Sequence, residues 1–445
     1  MIALPRPHSP HRNFSGPPAA GSNAGLAGGL LVALSVACFL TGCSSPLSRS
    51  GSVSKDHAFI TYWPPPEHDG RLRLAVKDLI DMKGLVTTGG SESLAKSRPP
   101  AERDAECLEL ARGRNVWIVG KTNAGELGTG VSGANDFYGT PMNPLSRKYR
   151  LVPGGSSSGS AVAVATGMAD VALGTDTAGS IRIPAASCGV AGLKTTFGLI
   201  SLKGVLPLSP KHLDTVGPMA RDVAGLVRGM DLIDPGFAAE YRKATASRSS
   251  ITVGRLYVPN TAPEIDRAVD DALAASGFHV IRLNDAFTAK WEQAQEDGKK
   301  VAAADAWLTD REYLGGKGLS NLTRTALRLG EVEYHTNYAD ALKRRPAWRR
   351  ALRDVFQKVD FIATPTLRKI PPRISRFGRT ALLELRMFEI QNAVAVNLAG
   401  NPAVALPIPM DGKIVHVTSL QLVGPRFSEA ELLHAGQLVE SRLKW

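Results

Sequence analysis

The pattern of apolar and polar residues predicts short strands that alternate with helices. Residues 72–76 alternate with the two-residue period of a strand, and residues 116–119 form a short apolar run typical of a buried strand. Residues 104–113 have helical spacing and end in a glycine. Residues 161–167 predict a packed helix of small residues, and residues 171–173 predict a further strand. From about residue 57 onward the pattern therefore indicates a mixed α/β fold.

The carboxyl-terminal stretch predicts a helix with clear start signals. Residues 428–431 read Ser-Glu-Ala-Glu, which has the spacing of a capping box. One apolar face of the helix that follows consists of Leu432, Ala435, Val439 and Leu443. Residues 235–345 have the least regular pattern, and we expect a substrate-specific insertion or a helical cap there. The chain shows no internal repeat.

The first 42 residues have a different pattern, which predicts an export signal. Arg6 and Arg12 precede an apolar run at 26–40, and no acidic residue occurs before position 43. The run is short and rich in small residues, which suits a signal peptide better than a membrane-spanning helix. It ends in Leu-Thr-Gly-Cys43, which resembles the bacterial lipobox, where cleavage precedes a cysteine that carries diacylglycerol. A plain secretory signal or an incidental apolar terminus are the alternatives.

These signals divide the chain into three parts. Residues 1–42 are expected to be a lipoprotein signal peptide, residues 43–56 a polar, flexible tether, and residues 57–445 the folded domain. Cys43 would carry the lipid, so we expect a protein of the bacterial cell envelope, facing the periplasm or the exterior. The remaining cysteines are Cys107 and Cys188, which could form a disulfide only with each other. We expect them to be two buried free thiols instead.

Composition restricts the class of protein, and charge adds one question. The 445 residues are 43% hydrophobic and 21% charged, which excludes a coiled coil, a collagen, a disordered acidic chain and a polytopic membrane protein. The net charge of +12 invites a nucleic-acid or anionic-surface interpretation. However, thirteen Lys or Arg and three acidic residues fall between positions 343 and 386. The excess is therefore local, and we expect a solvated basic helix face or a membrane contact there rather than a nucleic-acid partner.

Three polar and glycine-rich segments carry the candidate chemistry. Residues 74–84 contain Lys77 after an apolar strand, residues 153–160 read Pro-Gly-Gly-Ser-Ser-Ser-Gly-Ser, and residues 174–185 contain Ser180. A glycine-rich turn that ends in a serine exposes backbone N–H groups beside a hydroxyl, which suits a nucleophile and an oxyanion hole. The histidines outside the leader follow no recognisable motif. Lys77 is the alternative base, because burial lowers the pKa of an amine.

Each segment alone has a plainer explanation. A Gly-Ser stretch is usually a loop, and a single lysine after a strand is usually a solvated charge. Residues 155–159 match Gly-x-Ser-x-Gly and nominate Ser157 as a nucleophile, but that pattern arises easily in a glycine- and serine-rich loop. Residues 120–122 imitate the end of a phosphate-binding loop, whose first glycine is replaced by Asn115. No metal-ligand spacing appears, so the sequence predicts no metal site.

Taken together, the segments resemble the amidase signature family of serine hydrolases. The resemblance covers about residues 57–445 and rests on long matches in a constant order. The matching stretches are 75–84 (AVKDLIDMKG), 120–135, 138–144, 153–167 (PGGSSSGSAVAVATG), 174–198, 212–223, 397–407 and 420–433. The resemblance implies an α/β fold with a mixed, mostly parallel sheet flanked by helices. It also implies that residues 57–445 are one catalytic domain.

The resemblance further implies a Ser–cis-Ser–Lys triad. Ser180 would be the nucleophile, Ser156 the bridging serine after a cis peptide bond, and Lys77 the base. The oxyanion hole would be formed by the backbone amides of Thr177, Ala178, Gly179 and Ser180. The supporting residues would be Ser157, Thr175, Asp176 and Arg182. Many members have a second glycine where Ala178 stands, so its methyl group would narrow the pocket without removing the backbone donor.

These assignments predict a serine amidohydrolase that cleaves a carboxamide C–N bond through an acyl-enzyme on Ser180, with no metal or organic cofactor. The expected partners are a small-molecule or peptide amide and, through Cys43, a membrane; no nucleic acid is expected. One alternative is a glutaminyl-tRNA amidotransferase-like subunit, although the export signal argues for a different compartment. An ester-preferring hydrolase with the same triad is a second alternative, and a non-enzymatic binding lipoprotein is a third.

Overall fold

The centre of the fold is a mixed sheet to which eleven strands of the described residues belong. The computed structural model describes residues 52–146, 148–246, 250–374 and 380–443. The strands are β1 (Phe59–Tyr62), β2 (Leu72–Lys77), β3 (Val116–Thr122), β4 (Val171–Asp176), β5 (Ala191–Lys194), β6 (Thr215–Ala220), β7 (Thr252–Arg255), β8 (His279–Arg282), β9 (Phe361–Pro365), β10 (Ala403–Pro409) and β11 (Val417–Val423). Their order across the sheet is β1-β3-β2-β4-β6-β5-β10-β11-β9-β7-β8.

Helices flank this sheet and connect its strands. They are α1 (Glu92–Ser97), α2 (Glu106–Arg112), α3 (Ser158–Ala165), α4 (Arg182–Cys188), α5 (Val223–Ile233), α6 (Phe237–Ala246), α7 (Pro263–Ser276), α8 (Asp285–Asp310), α9 (Asn321–Thr336), α10 (Tyr338–Val355), α11 (Thr380–Ile390), α12 (Val394–Ala399) and α13 (Glu429–Arg442). The elements predicted at β2, α2, β3, α3, β4 and α13 are all present. Cys107 and Cys188 are buried free thiols, as predicted.

The prediction of a mixed sheet flanked by helices is confirmed, but the expectation that the sheet is mostly parallel is wrong. Six of the ten neighbouring strand pairs in the described residues are antiparallel. Parallel pairing is confined to β3-β2-β4 on one side and to β9-β7-β8 on the other. Within the antiparallel centre, the pair β10 and β11 is antiparallel because the two strands follow each other after a short connection, which reverses the chain.

The parallel pair β2 and β4 positions the candidate chemistry. The two strands are direct neighbours, with Leu74 beside Val171 and Val76 beside Leu173. Their carboxyl ends therefore lie at the same edge of the sheet, where ligand sites of α/β sheets are commonly found. Lys77 ends β2, and Asp176 ends β4.

The irregular stretch 235–345 is helical for the most part. Helices α8 and α9 pack closely on each other, and both contribute side chains to the cavity beside Ser180. A helical cap over the site is therefore present. The same stretch also supplies β7 and β8 to one end of the sheet, which the sequence pattern did not indicate.

The start of α13 differs in detail from the predicted capping box. Ser428 precedes the helix, but its hydroxyl donates to the carbonyl oxygen of Pro425 at 2.8 Å and accepts no hydrogen bond from a helical N–H. Glu429 is buried and accepts a hydrogen bond from the backbone N–H of Thr196 at 2.6 Å. The helix start is therefore stabilised through Glu429 and the preceding loop.

The predicted leader at 1–42 and the predicted lipid attachment at Cys43 lie outside the described residues. Of the predicted tether, residues 52–56 are described: Ser52 forms an isolated antiparallel bridge with Tyr62, and Ser54 donates to Asp56 at 2.6 Å. Across the residues that the structure describes, no helix is both long and apolar enough to cross a membrane.

Candidate active site

Lys77 lies at the end of β2 with its side chain completely buried. Its Nζ is 2.8 Å from Ser156 Oγ and 2.7 Å from Thr175 Oγ1. Residues Leu74, Ala75 and Val76 before it are buried as well, because β2 is covered on both faces. The apolar strand therefore carries an amine into the protein interior and places it against two hydroxyl groups.

Burial changes the protonation of Lys77. Desolvation disfavours the charged amine and lowers the pKa of Lys77 to about 7, although Asp176 and Asp214 act in the opposite direction. An ordinary exposed lysine has a pKa near 10.4. Near neutral pH, a substantial fraction of Lys77 is therefore uncharged and able to accept a proton from a neighbouring hydroxyl.

The glycine-rich loop before α3 presents Ser156 to this amine. The Gly155–Ser156 peptide bond is cis, which matches the position that the resemblance implies. The loop is fixed from two sides, since Gly125 N–H donates to Ser156 O at 2.9 Å and Gly155 N–H donates to Val131 O at 2.8 Å. A Cβ at Gly155 would lie 2.5 Å from the carbonyl oxygen of Gly130, so only glycine fits here.

Ser180 lies on the turn between β4 and α4 and is hydrogen-bonded through its backbone to the loop of Ser156. The N–H of Ser157 donates to the carbonyl oxygen of Ser180 at 3.2 Å. The turn requires Gly179, which has a φ of +112° and whose added Cβ would lie 2.7 Å from Ala393 Cβ. The two serine-bearing loops are thereby held together at the carboxyl ends of β2 and β4.

Ser180 borders a cavity, and Ser157 does not. The cavity has a volume of about 90 Å³, and Thr177 and Ala178 line it together with Ser180. Ser157 is completely buried, and its hydroxyl donates to the carbonyl oxygen of Thr175 at 3.2 Å. Of the two serines that the sequence nominated as nucleophile, Ser180 is therefore the one that a substrate in this cavity can meet.

A buried ion pair supports the turn of Ser180. Arg182 Nε lies 3.0 Å from Asp176 Oδ2, and both side chains are completely buried. Burial alone would raise the pKa of Asp176, but Arg182 beside it holds that pKa well below the usual range of a carboxyl group. The carboxylate accepts the N–H of Gly179 at 2.8 Å, so the pair fixes the backbone next to Ser180.

The predicted oxyanion donors differ in their availability. The N–H of Gly179 already donates to Asp176, so this amide is engaged in the structure. Thr177, Ala178 and Ser180 line the cavity. The hydroxyl of Thr177 donates to Asp214 Oδ1 at 2.6 Å, which orients this residue at the cavity wall.

Several residues of the site were not singled out from the sequence. Asn397 Oδ1 and Gln421 Oε1 accept hydrogen bonds from Arg182 at 2.6 and 2.7 Å. Glu384 is buried and accepts the N–H groups of Val131 and Ser132, both on the loop that binds Gly155. Asn397 and Gln421 lie in stretches that carried the family resemblance, which is the signal that could have pointed to them.

A family model described as Amidase matches residues 72–433, which include Lys77, Ser156 and Ser180. The chain belongs to the amidase family. Its expected identity as an amidase-family enzyme acting on amide C–N bonds is thus confirmed, and the large mixed sheet flanked by helices is the fold of this family.

Similar proteins of this family have different named activities. A glutamyl-tRNA(Gln) amidotransferase subunit of Halobacterium salinarum is 33% identical, over 82% of this chain and 94% of that protein. The 2-amino-5-chloromuconic acid deaminase of Comamonas testosteroni is 32% identical, over 81% of this chain and 79% of that protein. A crystal structure of an amidase superposes with a TM-score of 0.69 at 28% identity, covering 84% of this chain and 85% of that one.

Proposed function

We propose that this amidase hydrolyses carboxamides through an acyl-enzyme on Ser180, with Ser156 and Lys77 as its proton relay. The observation that carries the proposal is the buried amine of Lys77, which has a pKa of about 7 and lies 2.8 Å from Ser156 Oγ. A base with a pKa near the working pH is the most effective proton acceptor. The backbone contact between Ser157 and Ser180 keeps the nucleophile beside this relay.

In the first half of the reaction, neutral Lys77 accepts the proton of Ser156, and Ser156 accepts the proton of Ser180. The Oγ of Ser180 forms a bond to the amide carbon, and the carbonyl oxygen becomes negatively charged. The proton then returns through the relay to the leaving nitrogen, so that the C–N bond breaks and an amine or ammonia departs. Water attacks the resulting ester by the same route and releases the carboxylic acid.

The backbone of the Ser180 turn would stabilise the negative charge. The backbone amides of Thr177, Ala178 and Ser180 are the donors in this proposal, because the N–H of Gly179 already donates a hydrogen bond to Asp176. One well-placed donor of this kind contributes roughly 3–4 kcal/mol to catalysis. Arg182 and Asp176 touch no substrate atom in this scheme, and they act by holding the turn in place.

The replacement of Ser180 by alanine tests the nucleophile. Ser180→Ala is expected to abolish amide hydrolysis and to prevent covalent labelling by a fluorophosphonate, because the bond-forming oxygen is gone. Amine release and intact-protein mass spectrometry measure the two effects. Ser157→Ala is the matched control, and we expect it to remain labelled. Full activity of Ser180→Ala would overturn the assignment, and labelling of Ser180→Ala but not of Ser157→Ala would transfer the role to Ser157.

A second candidate function is an amidotransferase subunit that releases ammonia from glutamine for use by a partner. The 33% identity to a protein named as a glutamyl-tRNA(Gln) amidotransferase subunit, over 94% of its length, favours this function. Hydrolysis of simple amides by the isolated chain would support a free amidase. The amidotransferase function would be supported if the chain hydrolysed glutamine and no other tested amide, and if a co-purified partner raised this activity.

An ester-preferring hydrolase would use the same three side chains. Esters have better leaving groups than amides and depend less on protonation of the leaving atom. The Lys77 relay, which can return a proton to nitrogen, supports amide specificity. Turnover of a matched amide and ester that share one acyl group separates the two functions.

A further inference from the structure

Helices α8, α9 and α11 supply half of the described residues that line the cavity beside Ser180, and four of those seven residues are alanines. Helix α8 contributes Ala302, Ala303 and Ala306, helix α9 contributes Ala326 and Leu327, and α11 contributes Phe388. Ligand pockets for drug-sized molecules have volumes of roughly 300–1,000 Å³. A cavity of about 90 Å³ admits a far smaller group, such as a short unbranched acyl chain.

Lys299 is the one charged residue among those that line this cavity in the described part of the chain. It lies on α8, one turn before Ala303, and its side chain is 27% exposed. Its Nζ is 2.9 Å from Oε1 of Glu296, whose own side chain is 58% exposed. An ion pair that is open to water in this way contributes little to stability, so Lys299 can exchange Glu296 for another carboxylate at low cost.

We propose that the acyl part of the substrate is a short unbranched chain that ends in a carboxylate, which Lys299 binds. The inference rests on the proposed function, since it assumes that the amide carbon reaches Ser180. The substrate class is then the monoamides of short dicarboxylic acids. The alanine walls hold the methylene groups, Ser180 attacks the amide end, and the ammonium of Lys299 replaces water around the distant carboxylate. The products are a dicarboxylate and ammonia or an amine.

Matched pairs of substrates test the inference. We would measure kcat/KM for the monoamides of succinic, glutaric and adipic acids and for butanamide, pentanamide and hexanamide, which lack the carboxylate. Lys299→Met is expected to lower kcat/KM for the best monoamide roughly tenfold, because a charge-assisted hydrogen bond is lost. The kcat/KM for the unsubstituted amides is expected to change much less, because these amides carry no carboxylate for Lys299 to bind. Lys300→Met is the matched control, since Lys300 lies on the same helix and does not line the cavity.

Glu296 provides a change in the opposite direction. Glu296→Gln removes the carboxylate that competes for Lys299, so the KM for the monoamide is expected to fall while the KM for the unsubstituted amide stays the same. A purely structural role of the pair would change both substrates alike. Equal effects of Lys299→Met on monoamides and unsubstituted amides would overturn the substrate inference and leave amide hydrolysis intact.

Binding distinguishes failure of the inference from failure of the proposed function. Calorimetric titration of glutaric monoamide and pentanamide into Ser180→Ala requires no turnover. The inference is supported if Ser180→Ala binds glutaric monoamide more tightly than pentanamide and if adding Lys299→Met removes this difference. This holds even if the wild-type protein hydrolyses neither amide. Equal affinity for the two ligands overturns it, whatever the activity of the wild-type protein.

Discussion

Burial and charge act on the side chain of Lys77 in opposite directions, and burial has the larger effect. The surrounding apolar strand removes water from the amine, which lowers its pKa, while Asp176 and Asp214 raise the pKa by a smaller amount. Of the two carboxylates, Asp176 raises the pKa of Lys77 more than Asp214 does. Desolvation still has the larger effect, so the pKa of Lys77 stays near 7 while the pair of Asp176 and Arg182 holds the turn of Ser180.

The pH dependence of hydrolysis tests this balance. Only neutral Lys77 accepts a proton, and its pKa is about 7, so kcat/KM should rise with pH through about 7 and then level off. Lys77→Met is expected to lower kcat/KM by roughly 10²–10⁴-fold, the typical contribution of a general base, and to remove this rise. Initial rates between pH 5 and pH 9 measure both effects.

Lys194 provides a control for that measurement. It is also completely buried with a pKa lowered to about 7 by desolvation, but its Nζ binds the carbonyl oxygens of Thr195 and Asn401, both at 2.8 Å. Lys194→Met is therefore expected to keep the rise of kcat/KM near pH 7. Loss of the rise in Lys194→Met, or its survival in Lys77→Met, would contradict the role of Lys77 as the base.

The sequence predicts which residues meet at the site better than how they are held. Lys77, Ser156 and Ser180 were assigned because each lies in a stretch that carries the family resemblance. Glu384 did not, because its partners Val131 and Ser132 lie more than 250 positions away along the chain. Local periodicity carries no information about contacts at such separations.

Helix α10 contacts the end of α12 through arginines that the sequence placed on a solvated face. Arg345 donates to the carbonyl oxygen of Leu398 at 2.7 Å, and Arg349 donates to that of Ala399 at 2.9 Å. These carbonyl groups lie in the last turn of α12, where they have no partner within the helix. The expectation of a solvated basic face is therefore wrong for these two residues. Each side chain is half-buried and donates a hydrogen bond to a carbonyl group at the end of α12.

Replacement of Arg345 tests the contribution of this contact to stability. Arg345→Met keeps much of the apolar stem but removes the donors to Leu398 and to the carbonyl oxygen of His212 at 2.6 Å. We expect a loss of about 1–3 kcal/mol in the free energy of unfolding, because buried acceptors lose their partner. Urea denaturation measures this change. Arg350→Met, at an exposed position of the same helix, should change stability by less than about 0.5 kcal/mol, and an equal loss in both variants would contradict the assigned contact.

Strands at the end of the sheet were the elements hardest to predict. β8 has only four residues, His279–Arg282, and all four are exposed. A strand is recognised from alternation when one face is buried, and β8 has no buried face. The strands β2 and β4, which hold the site, are buried along most of their length and were predicted correctly.

For the molecule as a whole, net charge is a poor guide to partners. The excess of basic residues between 343 and 386 includes Arg344, which lies 2.6 Å from the buried carboxylate of Asp297. Together with Arg345 and Arg349, it takes part in contacts that stabilise the helical cap. Part of the charge that suggested a nucleic-acid or membrane surface therefore makes structural contacts within the protein.

Attachment to the envelope would depend on the amino terminus, and we propose that Cys43 carries the lipid. The lipobox-like sequence Leu-Thr-Gly-Cys43 at the end of the apolar run at 26–40 supports this proposal. In a bacterial host, the full-length protein should fractionate with membranes and incorporate labelled fatty acid. Cys43→Ser should lose the label, because the sulfur atom that would carry the lipid is gone. Cys107→Ser, at a buried thiol of the folded domain, should keep the label. Fatty-acid labelling of Cys43→Ser, or an unlabelled wild-type protein, would contradict the lipid anchor.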